Sequence, residues 1–141
     1  MAVTTTSGVA PWNFAIKAGS DLTISMTWNN DAGQPMNLTG YSMILTIRSF
    51  VSSSVAILTL SSSASSGSRI VLGGTAGTIQ LIFSHVDTVG LTPSGLPTSN
   101  ALGNGLPVSP LGVYDLQYTD NNGNIGYLLE GSVSLDPWVT Q

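Results

Sequence analysis

Apolar and polar residues alternate with a period of two wherever the apolar ones cluster, which is the signature of strands with one buried face. Leu22, Ile24, Met26 and Trp28 are separated by Thr23, Ser25 and Thr27, and predict a half-buried strand. Asn29 to Pro35 follows, dense in residues that favour tight turns. The next strand runs from about Tyr41 to Arg48, with Met43, Leu45 and Ile47 on one face and Ser42 and Thr46 on the other. Ile44 breaks the pattern and is expected to be covered by the N-terminal segment. Ser52 to Leu60 is a further β-branched run, Ser61 to Ser68 a serine-rich loop, and Arg69 to Leu72 a short strand before Gly73-Gly74.

Thr78 to Phe83 alternates again, and Ser84 to Leu91 offers one or two helical turns at most. Val113 to Thr119 and Ile125 to Leu135 flank Asp120-Asn121-Asn122-Gly123-Asn124, a hairpin signal because Asn and Gly accept positive φ. Seven or eight short strands joined by Gly, Asn and Ser turns predict an all-β protein, a single antiparallel β-sandwich over residues 1–141. One segment departs from this spacing. Thr92 to Leu111 holds four of the seven prolines and no charge, so it reads as a long Pro/Gly loop, either laid against a neighbour or free in solvent.

Charge sharpens the picture. The 141 residues include three basic ones, Lys17, Arg48 and Arg69, against seven acids, for a net charge of -4. Charged residues make up 7% of the chain where a soluble domain has about 25%. At 42% hydrophobic the chain is too apolar for disorder. Three cations cannot build the stripe that neutralises nucleic-acid phosphates, nor a polybasic membrane patch, so neither partner is expected. No apolar run reaches the roughly 18 residues of a membrane span. Met1 to Gly8 does not read as a secretory signal, and synthesis and folding in a cytoplasm are expected. Asn37-Leu38-Thr39 fits a glycosylation sequon and is taken as coincidence.

Candidate chemistry is thin. There is no cysteine and one histidine, His85, between Ser84 and Asp87. Neighbouring strand residues point to opposite faces and no Gly-x-Ser-x-Gly elbow is present, so a nucleophilic triad is not expected. A lone histidine cannot hold zinc. Asn29 to Asp31 and Asp120 to Asn124 offer oxygen ligands, but turn chemistry explains both and neither has EF-hand spacing, so no metal or cofactor is expected. Gly73, Gly74 and Gly77 lack the lysine of a phosphate loop. Asp115 and Glu130 are the one carboxylate pair with glycosidase potential. A structural ion pair of Arg48 with Asp115 or Glu130 is the better reading. Trp12, Trp28, Tyr41, Tyr114, Tyr118, Tyr127 and Trp138 could line a sugar groove, yet in a sandwich such residues more often build core or interface.

Five pieces in order resemble a family of small bacteriophage virion domains, similar to the N-terminal domain of siphophage upper baseplate proteins and to short proteins of phage structural gene clusters. They are Phe14 to Thr23, Asn30 to Tyr41, the strand ending in Arg48, Gly112 to Leu116 with Leu128 to Val133, and Pro137 to Thr140. The resemblance implies an immunoglobulin-like β-sandwich that docks to other virion proteins rather than catalysing a reaction. The loop from Thr92 is longer than the family pattern, and a stand-alone module closing at Gln141 is expected, so a capsid decoration or cement role is expected as much as a tail or baseplate role.

A surface poor in Lys and Glu loses little desolvation energy when a partner covers it, so assembly is expected on physical grounds too. Partners are expected to be major capsid or tail and baseplate proteins, with self-association. The uncharged arm 1–11 and the loop 92–111 are expected to become ordered only in the particle. The contact residues are expected to be Pro93, Leu96, Pro97, Leu102, Leu106 and Pro107, with Trp12 and Trp138. A carbohydrate-binding module is the alternative, and it requires an exposed plane of three aromatics.

Overall fold

The structure, a computed structural model, describes residues 2–4, 9–94 and 108–136. Ten strands and one helical turn follow in order: β1 (Ala2–Thr4), β2 (Ala10–Pro11), β3 (Phe14–Lys17), β4 (Leu22–Asn29), β5 (Ser42–Arg48), β6 (Ala56–Ser61), β7 (Arg69–Leu72), β8 (Thr78–Phe83), α1 (His85–Thr88), β9 (Ser109–Thr119) and β10 (Ile125–Asp136). A 3-10 turn, Gly74–Ala76, joins β7 to β8.

Two sheets form an all-β sandwich. One has the order β1-β4-β8-β7, the other β2-β10-β9-β5-β6, with β3 also pairing β10. Lettered by position, these are strands A-B-E-D facing A′-G-F-C-C′, the order of a variable-type immunoglobulin sandwich. The antiparallel expectation holds for the body of both sheets and fails at the N-terminus. There β1 runs parallel to β4, and β2 and β3 run parallel to β10. The N-terminal segment thus lies along the sheets as edge strands, which satisfies backbone groups that a free arm would leave to water. For residues 2–4 and 9–11 this corrects the expectation of an arm ordered only in the particle.

Period two explains the core. Met43, Leu45 and Ile47 of β5, Ile79, Leu81 and Phe83 of β8, and Leu116, Val133 and Leu135 of the final hairpin are all buried. Aromatic rings bridge the sheets at both ends. Trp28 of β4 lies 4.9 Å from Tyr118 of β9, and Phe14 of β3 lies 5.8 Å from Phe83 of β8. Off-centre and edge-on contacts of this kind add to area burial because ring quadrupoles attract edge to face.

Three further expectations change. Ile44 stays 44% exposed, since the N-terminal strands pair at the opposite margin of its sheet. The strand expected from Ser52 begins at Ala56, because residues 51–55 turn the chain into β6. The loop ends before Leu111: Val108, Ser109 and Leu111 are buried, and Ser109 already pairs with Leu135.

Candidate docking face

The outer face of the sheet formed by β2, β10, β9, β5 and β6 is the most distinctive surface of the molecule. Its middle row is set by register: Thr46 opposes Asp115, and Asp115 opposes Glu130. One side-chain step along, Arg48 opposes Val113. In the other direction Ile44 opposes Gln117, which opposes Tyr127 and donates to its hydroxyl at 3.0 Å. Apart from Lys17 and Asp136, which pair at 3.5 Å across the sheet edge, Arg48, Asp115 and Glu130 are the charged residues of these strands.

A groove of about 510 Å³ runs over this row. Pro11 and Asn13 wall it on one side and Val51 on the other, with Thr46, Arg48, Val113, Asp115 and Glu130 in its lining. Two glycines make the walls possible. A Cβ on Gly131 would stand 2.0 Å from the Trp12 carbonyl oxygen, and one on Gly112 would stand 2.1 Å from that of Arg48.

The expected ion pair is not formed. Arg48 has no carboxylate within ion-pair distance among the described residues, and its Nη1 donates to the Ser53 carbonyl at 3.3 Å. The register is the reason, since Arg48 faces Val113 and meets Asp115 only on the diagonal. Burial pushes the Asp115 carboxyl above its ordinary range, the Glu130 carboxylate pushes it further, and Arg48 opposes both.

Other candidates fall into structural places. Trp12 is half-buried and stacked on Phe14 at 5.4 Å; its N–H donates to the Glu130 carbonyl at 2.9 Å and its carbonyl accepts from the Tyr114 hydroxyl at 2.7 Å. Its backbone fastens the edge of the sheet. Pro93 is exposed, beside Ser94, which donates twice to the Pro110 carbonyl. Leu96, Pro97, Leu102, Leu106, Pro107 and Trp138 lie outside the described residues.

Ser84, His85 and Asp87 turn to three different partners. Ser84 caps α1 through Val86 N–H, His85 Nδ1 meets Asp21 at 2.9 Å, and Asp87 accepts from Ser68. The bonds from His85 hold the Asp21 carboxyl below its usual range. In the two oxygen-rich turns the side chains cap backbone: Asn30 Oδ1 accepts from Ala32 and Gln34, and Asp120 Oδ1 from Asn122 and Asn124. The bonds to Asp120, that from Asn124 foremost, lower its pKa.

The alternation missed the residues that stand out most. Phe50, Val51 and Val55 are 58%, 88% and 70% exposed at the β5–β6 turn, joined on the sheet face by Ile44, Ile125 and Tyr127. Phe50-Val51 flanked by serines is the available signal, an apolar pair where a turn demands polar residues. The exposed plane of three aromatics that sugar binding requires is not found among the described residues. Trp28 is buried, and Tyr41 and Tyr118 are half-buried against it.

No protein-family model matches the chain, and no curated protein matches it. Among solved structures it is similar to the N-terminal domain of phage TP901-1 ORF48, with a TM-score of 0.43 and 12% identity over 98% of this chain and 95% of that one. The assignment of the sandwich rests on strand order and register. No helix of the described residues is long and apolar enough to cross a membrane.

Proposed function

We propose that this chain is a non-enzymatic structural protein of a bacteriophage virion, one that docks onto other virion proteins. The observation that carries the reading is the outer face of the β2-β10-β9-β5-β6 sheet, broad, without lysine, its charges confined to Arg48, Asp115 and Glu130, and edged by the exposed Phe50, Val51 and Val55. Interface cores are depleted in Lys and Glu and enriched in aromatic residues, because covering a charge costs its hydration. The motif resemblance supports the phage assignment. Its pieces fall on β3 and the start of β4, on the β4–β5 connection, and side by side on β9 and β10.

Two sites in the particle fit such a face, a tail or baseplate component and a capsid decoration or cement protein. Peptide mass spectrometry on gradient-purified particles of the encoding phage, with heads and tails separated, tests the reading. Near-stoichiometric recovery with the major capsid protein in heads supports the cement role, and low-copy recovery in tails supports the baseplate role. Absence from both fractions overturns the proposal.

A further inference from the structure

We infer that the outer face of the β2-β10-β9-β5-β6 sheet is a twofold interface between two copies of this chain, held by reciprocal pairing of Arg48 with Asp115 and Glu130 of the second copy. The face carries complementary charges that its own geometry leaves apart. Asp115 and Glu130 stand opposite one another in adjacent strands, like charges in direct cross-strand contact, an arrangement that destabilises a sheet. Arg48 is one strand over and two residues along from Asp115, about 5 Å across and about 7 Å along the sheet. Its guanidinium turns to the Ser53 carbonyl instead of closing that gap.

A second copy resolves the arrangement. In an isologous contact, residue i meets residue j of the partner and j meets i, so a face bearing both signs offset from each other complements itself. A twofold axis between the copies, lying in the plane of the interface and diagonal to the strands, carries each Arg48 over the other copy's carboxylate pair. Strands of the two copies then cross at about 90°, one of the two ways sheets pack face to face.

The area suffices. Five strands at about 4.8 Å spacing and seven residues at about 3.4 Å give a face of about 570 Å² before side-chain relief, so two copies together clear the roughly 1,000 Å² at the low end of specific interfaces. Ile44, Tyr127 and Val51 supply apolar cover around the charged centre, and water excluded by them strengthens the ion pairs. A second copy on this face leaves the exposed Phe50 and Val55 at its margin for a virion partner, and the pairing itself does not depend on the virion reading, so its test uses the protein alone.

Sedimentation velocity over about two decades of concentration, up to about 500 µM, should show the full-length chain passing from monomer to dimer. Arg48→Glu sets a carboxylate against two carboxylates at both ends of the contact and should raise the dimer dissociation constant at least about tenfold. Glu130→Arg should weaken self-pairing as well. An equimolar mixture of Arg48→Glu with Glu130→Arg restores opposite charges at both ends, and should sediment as a dimer at concentrations where each variant alone is a monomer. Far-UV circular dichroism identical to the parent chain certifies the fold of each variant. A parent chain that stays monomeric throughout, an Arg48→Glu variant that dimerises as the parent does, or a mixture that restores nothing would each overturn the inference.

Discussion

Glu130 of β10 and Asp115 of β9 stand directly opposite each other, two carboxylates with no cation within ion-pair distance among the described residues. Burial and the Glu130 charge raise the Asp115 pKa above its ordinary value of 3.8, against the pull of Arg48. A raised carboxyl holds its proton more tightly in the folded than in the unfolded chain. Its cost to stability is therefore full above the folded pKa and disappears as the pH falls below the unfolded value.

Asp115→Asn should accordingly stabilise the monomer. Because the site is largely solvated, the gain at about pH 7 should be only about 0.2–0.5 kcal/mol, or about 1 °C in Tm. At about pH 3, where both states are protonated, the gain should be gone. Calorimetry of dilute protein at the two pH values checks this, and an equal gain at both would show that the carboxylate's charge is not the cause.

How far such a face is legible in the sequence depends on which distances set it. The alternation Leu22-Ile24-Met26-Trp28 names the inward side of β4 correctly, since one strand's pleat is a local property. The hairpin at Asp120 to Asn124 is local too, and its side-chain hydrogen bonds are those that turn chemistry predicts. The edge strands were hidden because Ala10–Pro11 is too short to show a period and pairs with residues at 129 and 130, a partner chosen by the tertiary fold. The Arg48 ion pair failed for the same reason. Arg48 was legible on the strand β5, but its neighbour on β9 follows from a register fixed by residues far along the chain, and that register places it beside Val113.

Tyr114 makes the edge depend on one hydroxyl. It is buried, its pKa pushed far up by desolvation, and its O–H donates to the Trp12 carbonyl at 2.7 Å. Tyr114→Phe keeps the ring contact with Phe14 and leaves that carbonyl without this donor, which should cost about 1–2 kcal/mol. Urea denaturation measures the loss, and a cost near zero would show that water replaces the hydroxyl.

Gly131 and Gly112 mark where backbone passes over backbone. A Cβ on Gly131 would stand 2.0 Å from the Trp12 carbonyl oxygen and 2.7 Å from Asn13 Oδ1, and one on Gly112 2.1 Å from the Arg48 carbonyl oxygen, so in both places the nearest obstacle is main chain. Either alanine substitution must push a strand aside and should destabilise by about 1–3 kcal/mol. Gly131→Ala should in addition raise amide exchange at Trp12, whose N–H is bonded to the Glu130 carbonyl. Unchanged exchange there would mean that the edge yields without breaking.

The long loop separates a structural part from a dispensable one at a definable place. Its two ends are tied together, since Ser94 donates from both its backbone N–H and its hydroxyl to the Pro110 carbonyl. Beyond Ser94 the chain need only return to Val108, which is buried, as are Ser109 and Leu111 of β9. Replacing residues 95–107 with a four-residue Gly/Ser linker should therefore leave the sandwich folded. The shorter loop has less closure entropy to lose, which should raise stability by about 1 kcal/mol. Replacing the whole of 92–111 instead removes Val108 and Leu111 from the interior along with the first ladder pairs of β9, and each large apolar residue lost from a core costs about 2–5 kcal/mol. That variant should fail to fold cooperatively. Thermal melts of the two replacements decide the matter: a collapse of the 95–107 variant would show that this segment packs as part of the domain, whereas its survival would free the segment for contact with a partner.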